Sequence, residues 1–247
     1  MKNDLFKTAT VPSDKEDKEQ VKKNNKAMFD AIAEKQDVLY AQAKYSLLVI
    51  LQGLDASGKN SATKKIFRKV NPLGLKVQSY SQPTELELKH DFLWRIHEHT
   101  PARGEIQIFN RSHYEDVTVT RVKQMINDKE AKERCDQINH FEELLQSSGT
   151  RVLKFFLHVS EEEQKKRFKK RLLRPDKHWK FSEDDFLSTQ HRAEFMKYYQ
   201  EAFDRCNKPF PWIIVPADKK WYARKLIAEK VLKTLEELPL KYPDLQV

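Results

Sequence analysis

The sequence predicts an α/β fold: a parallel sheet flanked by helices. Three observations predict it. Short apolar runs of strand length recur along the chain, stretches with helical spacing separate them, and the first run ends in a glycine-containing turn that opens a helix.

The elements follow in order. Residues 1–12 read as a loose arm. Ser13-Asp14-Lys15-Glu16 fits a capping box, a hydroxyl at the N-cap with a carboxylate three residues later. It predicts a helix to about Ala43, with Met28, Ile32 and Leu39 on one apolar stripe. Residues 1–44 are thus an N-terminal arm and helix. Tyr45 to Leu51 is continuously apolar but for Ser46, the pattern of a strand buried on both faces. Similar runs predict strands over Leu75–Tyr80, Glu105–Phe109, Val152–Val159 and Trp212–Val215. Helices are expected at about 59–70, 84–99, 112–127, 130–147, 161–173, 183–206 and 219–237. Pro209 and Pro211 mark the turn into the last strand. No internal repeat or low-complexity linker divides the chain, so 1–247 reads as a single domain.

Composition narrows the class. The 247 residues are 39% hydrophobic, with 14 Phe, 8 Tyr and 4 Trp, too aromatic for a disordered chain. No apolar run nears the roughly 20 residues that span a bilayer. The first 30 residues hold no apolar signal region. Cys135 and Cys206 are isolated, without metal-ligand spacing. These features lead us to expect a cytoplasmic protein with no membrane association. The net charge of +9 calls for an acidic partner: nucleotide, nucleic acid, anionic membrane or another polyanion.

The first strand runs into Gly53-Leu54-Asp55-Ala56-Ser57-Gly58-Lys59-Asn60-Ser61, a G-x-x-x-x-G-K phosphate loop. Gly53 and Gly58 let the backbone wrap closely, so N–H groups of Ala56, Ser57 and their neighbours point at a phosphate. The next helix offers its positive N-terminus to the same anion, and Lys59 reaches the outer phosphates. Asn60 stands where a Ser or Thr normally holds Mg²⁺, and Ser61 is one place late. Asp55, inside the loop, would repel phosphates unless a cation lay between them, which makes it a candidate metal ligand. An Asx-turn residue shaping the loop is the competing reading.

The strand at 105–109 ends in Asn110-Arg111-Ser112-His113-Tyr114-Glu115-Asp116. Active sites of open parallel sheets lie at such strand ends. Asn110 occupies the usual Walker B carboxylate position and can still coordinate through its carbonyl or orient a water. Arg111 can clamp phosphate oxygens in a bidentate way. Glu115 and Asp116 begin the next helix, as site carboxylates or as plain partners of its dipole.

Residues 161–180 carry nine Lys or Arg against four Asp or Glu. Lys166, Lys170 and Arg174, and Arg167, Arg171 and Arg174, fall on neighbouring helical faces before Pro175. We expect a basic lid over 161–185. A second cluster, Lys64, Lys65, Arg68 and Lys69, follows the phosphate loop. Both clusters can track a long polyanion by releasing counterions, and a solvated basic surface is the plainer alternative. The eight His form no zinc pattern, His158 reads as a core residue, and none is given a catalytic role.

Four blocks together resemble a known family. Gly53 to Lys59, His90-Asp91-Phe92-Leu93-Trp94-Arg95, Phe109 to Asp116, and Trp212 to Trp221 resemble polyphosphate kinase 2 in order, spacing and wording. The resemblance covers about residues 25–240. Asn-Arg-Ser-His-Tyr-Glu-Asp is similar to class III of that family, whose members phosphorylate both AMP and ADP. The resemblance implies a thymidylate kinase-like P-loop kinase with a helical lid, inorganic polyphosphate as donor, AMP, ADP and guanine nucleotides as candidate acceptors, and Mg²⁺. It implies that Lys59 and Arg111 hold the transferring phosphates. It matches Asp55 to the family's essential loop acid. With Asn110 at the second acid's usual place, Asp116 becomes the nearest substitute as a metal ligand. Glu115 is expected near the acceptor, acting through Mg²⁺ or water. A homodimer or homotetramer is also implied. Lid basics, with Arg167, Lys170 and Arg171 among them, would stabilise the transferring group. Two rivals stand beside this reading: an ATP-dependent nucleoside monophosphate kinase, and a nucleic-acid-binding module, which leaves Asp55 unexplained.

Overall fold

The computed structural model describes residues 4–13, 15–180 and 188–245. Among these residues, five strands form one wholly parallel sheet: β1 (Ser46–Gln52), β2 (Leu75–Ser79), β3 (Ile106–Asn110), β4 (Thr150–His158) and β5 (Trp212–Pro216). Their order is β2-β3-β1-β4-β5. The helices are α1 (Lys18–Gln42), α2 (Lys59–Ile66), α3 (Trp94–His97), α4 (Glu115–Val122), α5 (Asp128–Ser147), α6 (Glu161–Leu172), α7 (Arg192–Arg205) and α8 (Lys220–Glu236). Short 3-10 turns cover Pro72–Gly74, Glu87–Lys89 and Pro175–Lys180.

Apolar side chains alternate to the two sides of the sheet and build two cores. Leu47, Val49 and Leu51 meet Ile32 and Leu39 of α1 and Ile227 and Val231 of α8. Leu48 and Ile50 meet Val117 of α4, Ile138 of α5 and Phe203 of α7. Every residue of β1 is buried, as a central strand covered on both faces requires. Edge strand β2 is only partly covered.

The helices expected at 59–70 and 112–127 are shorter, as α2 and α4, and two further departures have local causes. Helix α1 starts at Lys18, because the Asp17 carboxylate accepts from the Glu19 and Gln20 N–H groups at 2.7 and 2.8 Å. Ser13 instead accepts through its carbonyl from Glu16 N–H in a simple turn, and Asp14 lies outside the described residues. No continuous helix fills 84–99. Thr84 and Glu87 cap each other reciprocally and start a single turn. Asp91 then accepts from Leu93 N–H at 3.0 Å, diverting the backbone before the one turn of α3. The expected 183–206 helix is seen as α7 from Arg192, and residues 181–187 lie outside the described residues. No helix among those described is long and apolar enough to cross a membrane.

Strand order positions the site. β1 lies between β3 and β4, with Leu51 beside Asn110 and Gln52 beside Phe156. The strand order reverses around β1, so the turns leaving β1 and β3 open into one crevice.

Candidate active site

The phosphate loop leaves β1 and passes close to β4. At Gly53, φ is 141°, and a Cβ would stand 2.7 Å from the Leu157 carbonyl oxygen, so no larger residue fits there. Ala56 (φ 61°) and Gly58 (φ 116°) adopt left-handed backbone on either side of Ser57. Such alternation lines up N–H groups into an anion-binding nest. Lys59, the first residue of α2, is buried, and its Nζ donates to the Gly53 carbonyl at 2.6 Å and the Leu54 carbonyl at 3.3 Å.

Parallel register brings Arg111 to this loop. Its N–H donates to the Leu51 carbonyl at 3.0 Å, and its own φ of 64° turns the chain sharply after β3. Arg111 Nη2 then meets Asp55 Oδ1 at 2.6 Å, 56 residues away in sequence. Burial works against the guanidinium charge, and Asp55 and Glu115 outweigh it, holding Arg111 protonated. Glu115 is pushed the other way. Burial raises its pKa above the ordinary carboxylate range, against the pull of Arg111 and Lys59. Tyr199 Oη lies 3.4 Å from Glu115 Oε1 and 3.3 Å from Gln52 Oε1, and its single proton donates to one or the other.

Two hollows meet at this point. A narrow cleft at the start of the phosphate loop is lined by Gly53, Asp55, Arg111, Glu115 and Tyr199, among others. A larger cavity of about 240 Å³ lies alongside, walled by Tyr80, Phe92, Arg95, Asp116, Lys123 and Arg134. Arg111, Glu115 and Val119 line both.

Asp116 thus faces the larger cavity, not the phosphate loop cleft that Asp55 lines. Its Oδ2 accepts from Arg95 Nη2 at 3.2 Å, with both side chains buried. Burial raises its pKa, and Arg95 opposes this. Asn110 Nδ2 donates to Asn60 Oδ1 at 2.6 Å and to Ser79 Oγ at 3.2 Å, while Asn110 Oδ1 is buried with no hydrogen-bond partner. Ser61 Oγ accepts from Arg224 of α8 at 2.7 Å. Among the described residues, no three His, Cys, Asp or Glu side chains converge into a preformed metal site. The oxygen donors do suit Mg²⁺, which binds through one or two carboxylates plus substrate phosphates and retains water. Asp55, which lines the cleft, offers such a carboxylate.

The basic residues separate into kinds. Lys64 and Arg68 are exposed on α2 and just beyond it, and Lys170 is exposed on α6. Arg171 lies 5.2 Å over the Phe168 ring. Arg167 is buried, and its guanidinium is bonded to backbone carbonyls of the phosphate loop. Of the lid span, 181–185 lies outside the described residues. His158 is buried at the end of β4, and burial lowers its pKa to about 4. Sequence reasoning passed over Arg95, Gln52, Gln164 and Tyr199. Arg95 carried a signal, since it closes the His90–Arg95 block, whereas the other three depend on long-range packing.

Comparison with known proteins identifies the family. The family model described as polyphosphate kinase 2 matches residues 13–242. A relative from Meiothermus ruber, named AMP/ADP-polyphosphate phosphotransferase, is 42% identical over 84% of this chain and 78% of its own. An ADP-polyphosphate phosphotransferase from Rhodopseudomonas palustris is 36% identical over 93% of this chain and 84% of its own. The crystal structure of a polyphosphate kinase 2 from Arthrobacter aurescens superposes with a TM-score of 0.94 at 35% identity, covering 99% of this chain and 89% of that one.

Proposed function

The chain belongs to the polyphosphate kinase 2 family, and from that premise we propose that it transfers a phosphoryl group from inorganic polyphosphate to AMP and ADP, giving ADP and ATP. The observation that carries the reading is the sharing of Arg111 and Glu115 by two hollows. A donor end held at the phosphate loop and an acceptor phosphate reaching in from the larger cavity meet at the same two side chains.

The chemistry follows from the charges. A terminal phosphate oxygen of the acceptor attacks the end phosphorus of polyphosphate in line. A new P–O bond forms, the bridging P–O bond breaks, and the chain leaves one phosphate shorter. Lys59, Arg111 and the loop N–H groups neutralise the equatorial oxygens, so rate comes from alignment and electrostatics. Bound Mg²⁺ supplies charge neutralisation among crowded phosphates. Asp55 would hold it, giving up its ion pair with Arg111, and the second ligand would be Asn110, whose Oδ1 has no hydrogen-bond partner, or Asp116, which lines the adjoining cavity. Exposed Lys64, Arg68 and Lys170 would follow the polyanion beyond the cleft. Guanine nucleotides as further acceptors, a cytoplasmic setting, and a homodimer or homotetramer complete the proposal.

Three measurements bear on it. A panel of AMP, ADP, GMP and GDP with polyphosphate should give product from both adenine acceptors; failure of both removes the reading. Asp55→Asn keeps the shape but removes the charge that attracts a cation and pairs with Arg111. Its turnover should fall about a hundredfold, with partial recovery at high Mg²⁺. Wild-type turnover at low Mg²⁺ would make Asp55 a loop-shaping residue only. Glu115→Asn should change the ratio of AMP to ADP turnover several-fold while the urea midpoint moves little. A carboxylate cannot bind phosphate directly, so Glu115 acts on the acceptor through a cation, water or its own proton. Equal loss with both acceptors would refute its role in acceptor choice.

A further inference from the structure

Helix α6 was expected to lay basic side chains on substrate phosphates. Two of its side chains instead face the back of the phosphate loop. Gln164 is fully buried, and its Nε2 donates to the Asp55 carbonyl at 3.0 Å. One turn on, Arg167 Nη1 donates to the carbonyls of Ala56 at 3.0 Å and Ser57 at 2.7 Å. Its Nη2 donates to the carbonyls of Ala217 at 2.7 Å and Asp218 at 3.0 Å. Its Nε donates to Glu163 Oε1 at 2.8 Å. A guanidinium has five N–H donors, and here they face five acceptors. None is left for a phosphate oxygen unless one of these bonds breaks.

Three successive loop carbonyls, those of Asp55, Ala56 and Ser57, therefore turn toward one helix. A planar trans peptide directs each N–H opposite its carbonyl, so the N–H groups of Ala56, Ser57 and Gly58 point away from α6. Ser57 N–H closes a turn on the Leu54 carbonyl at 3.1 Å. The Ala56 and Gly58 N–H groups belong to the two left-handed residues that shape the anion nest. Gln164 also accepts from Arg192 Nη1 at 2.7 Å, and Arg192 Nη2 donates to the Val159 carbonyl at 2.6 Å, so the brace is itself tied to α7 and to the residue that follows β4.

We infer that Arg167, assisted by Gln164, is a positioning residue that aims the phosphate-binding N–H groups from behind and does not touch the transferred phosphoryl group. Its role in turnover rests on the polyphosphate kinase reading; its effect on the loop does not. Lysine is no substitute, because a single ammonium cannot span the loop carbonyls and those after β5 at once.

The test compares Arg167→Lys, Arg167→Ala and Gln164→Leu with the wild type, and uses Lys233→Ala, exposed on α8, as a surface control. Amide hydrogen exchange of residues 54–58 is read in ligand-free protein. Steady-state kinetics use AMP with polyphosphate, and polyphosphate binding is measured against salt. Both Arg167 variants should lose about tenfold to a hundredfold in kcat. Exchange at 54–58 should quicken while β1 and β4 stay protected, and the slope of log affinity against log salt should match wild type. The positioning role is overturned if Arg167→Lys keeps wild-type kcat, if loop exchange is unchanged, or if Arg167→Ala lowers the salt slope by about one phosphate contact. Should the Arg167 variants fail to fold, Gln164→Leu decides alone. It removes one loop bond at similar volume and should quicken exchange at 54–58 with a several-fold loss of kcat; unchanged exchange refutes the brace. Wild-type protein that ignores polyphosphate would defeat the functional reading, while the exchange data would still decide the brace.

Discussion

Lys59→Ala should lower kcat by about 10² to 10³ while the fold persists, since removing one preorganised electrostatic donor at a developing charge typically costs that much. The buried ammonium is held over the loop by the Gly53 and Leu54 carbonyls, so it waits in place and needs little reorganisation when phosphate arrives. Its contribution is to the equatorial oxygens of the transferring group, which makes kcat fall more than KM rises. Lys59→Arg should recover only a fraction, because a longer planar head does not fit between those carbonyls. Unchanged turnover in Lys59→Ala, measured with both acceptors, would contradict the assignment of the loop as the phosphate site.

The largest stability effect is expected in the core, beneath the turn that carries Arg111. Lys154 on β4 is fully buried. Its Nζ donates to Glu142 Oε2 at 2.7 Å, to the Cys206 carbonyl at 2.7 Å and to Tyr114 Oη at 3.0 Å. Tyr114 Oη in turn donates to Glu142 Oε1 at 2.7 Å. Burial raises the Glu142 pKa, but Lys154 and His113 more than reverse this, leaving it below the ordinary value of 4.5. A carboxylate with a lowered folded pKa contributes stability above its unfolded pKa and loses it as pH falls through the folded value. Lys154→Met strands that charge and should cost about 3–5 kcal/mol at neutral pH, read as a lower urea midpoint. Adding Glu142→Leu should return most of the loss. A single variant as stable as wild type would show that the pair is not ionised. Tyr114 and His113 belong to the Asn110–Asp116 block, so this network also anchors the turn that presents Arg111.

Local chemistry was legible in the sequence at the first strand and the loop that follows it. The apolar run before Gly53 became the central buried strand, and the loop that follows has the left-handed residues an anion nest needs. What the sequence hid was pairing across the sheet. Nothing near Asp55 announces Arg111, because their contact exists only once β1 and β3 lie side by side. The basic run at 161–180 looked uniform in charge, yet burial makes Arg167 a ligand of backbone carbonyls and leaves Lys170 in solvent. Helical spacing over 84–99 was misleading, since Thr84 and Asp91 each capture backbone N–H groups and restart the chain. Nor does the sequence show that Asp116 faces Arg95 across the larger cavity, since 21 residues separate the two.

The most direct test of the central claim is nucleotide analysis after mixing the purified chain with AMP, inorganic polyphosphate and Mg²⁺ in the complete absence of ATP. The account predicts ADP first and ATP after it, each formed at the expense of the polyphosphate end. No phosphorylated product from polyphosphate, alongside ADP formation when ATP is supplied as donor, would contradict it and identify an ATP-dependent nucleoside monophosphate kinase instead.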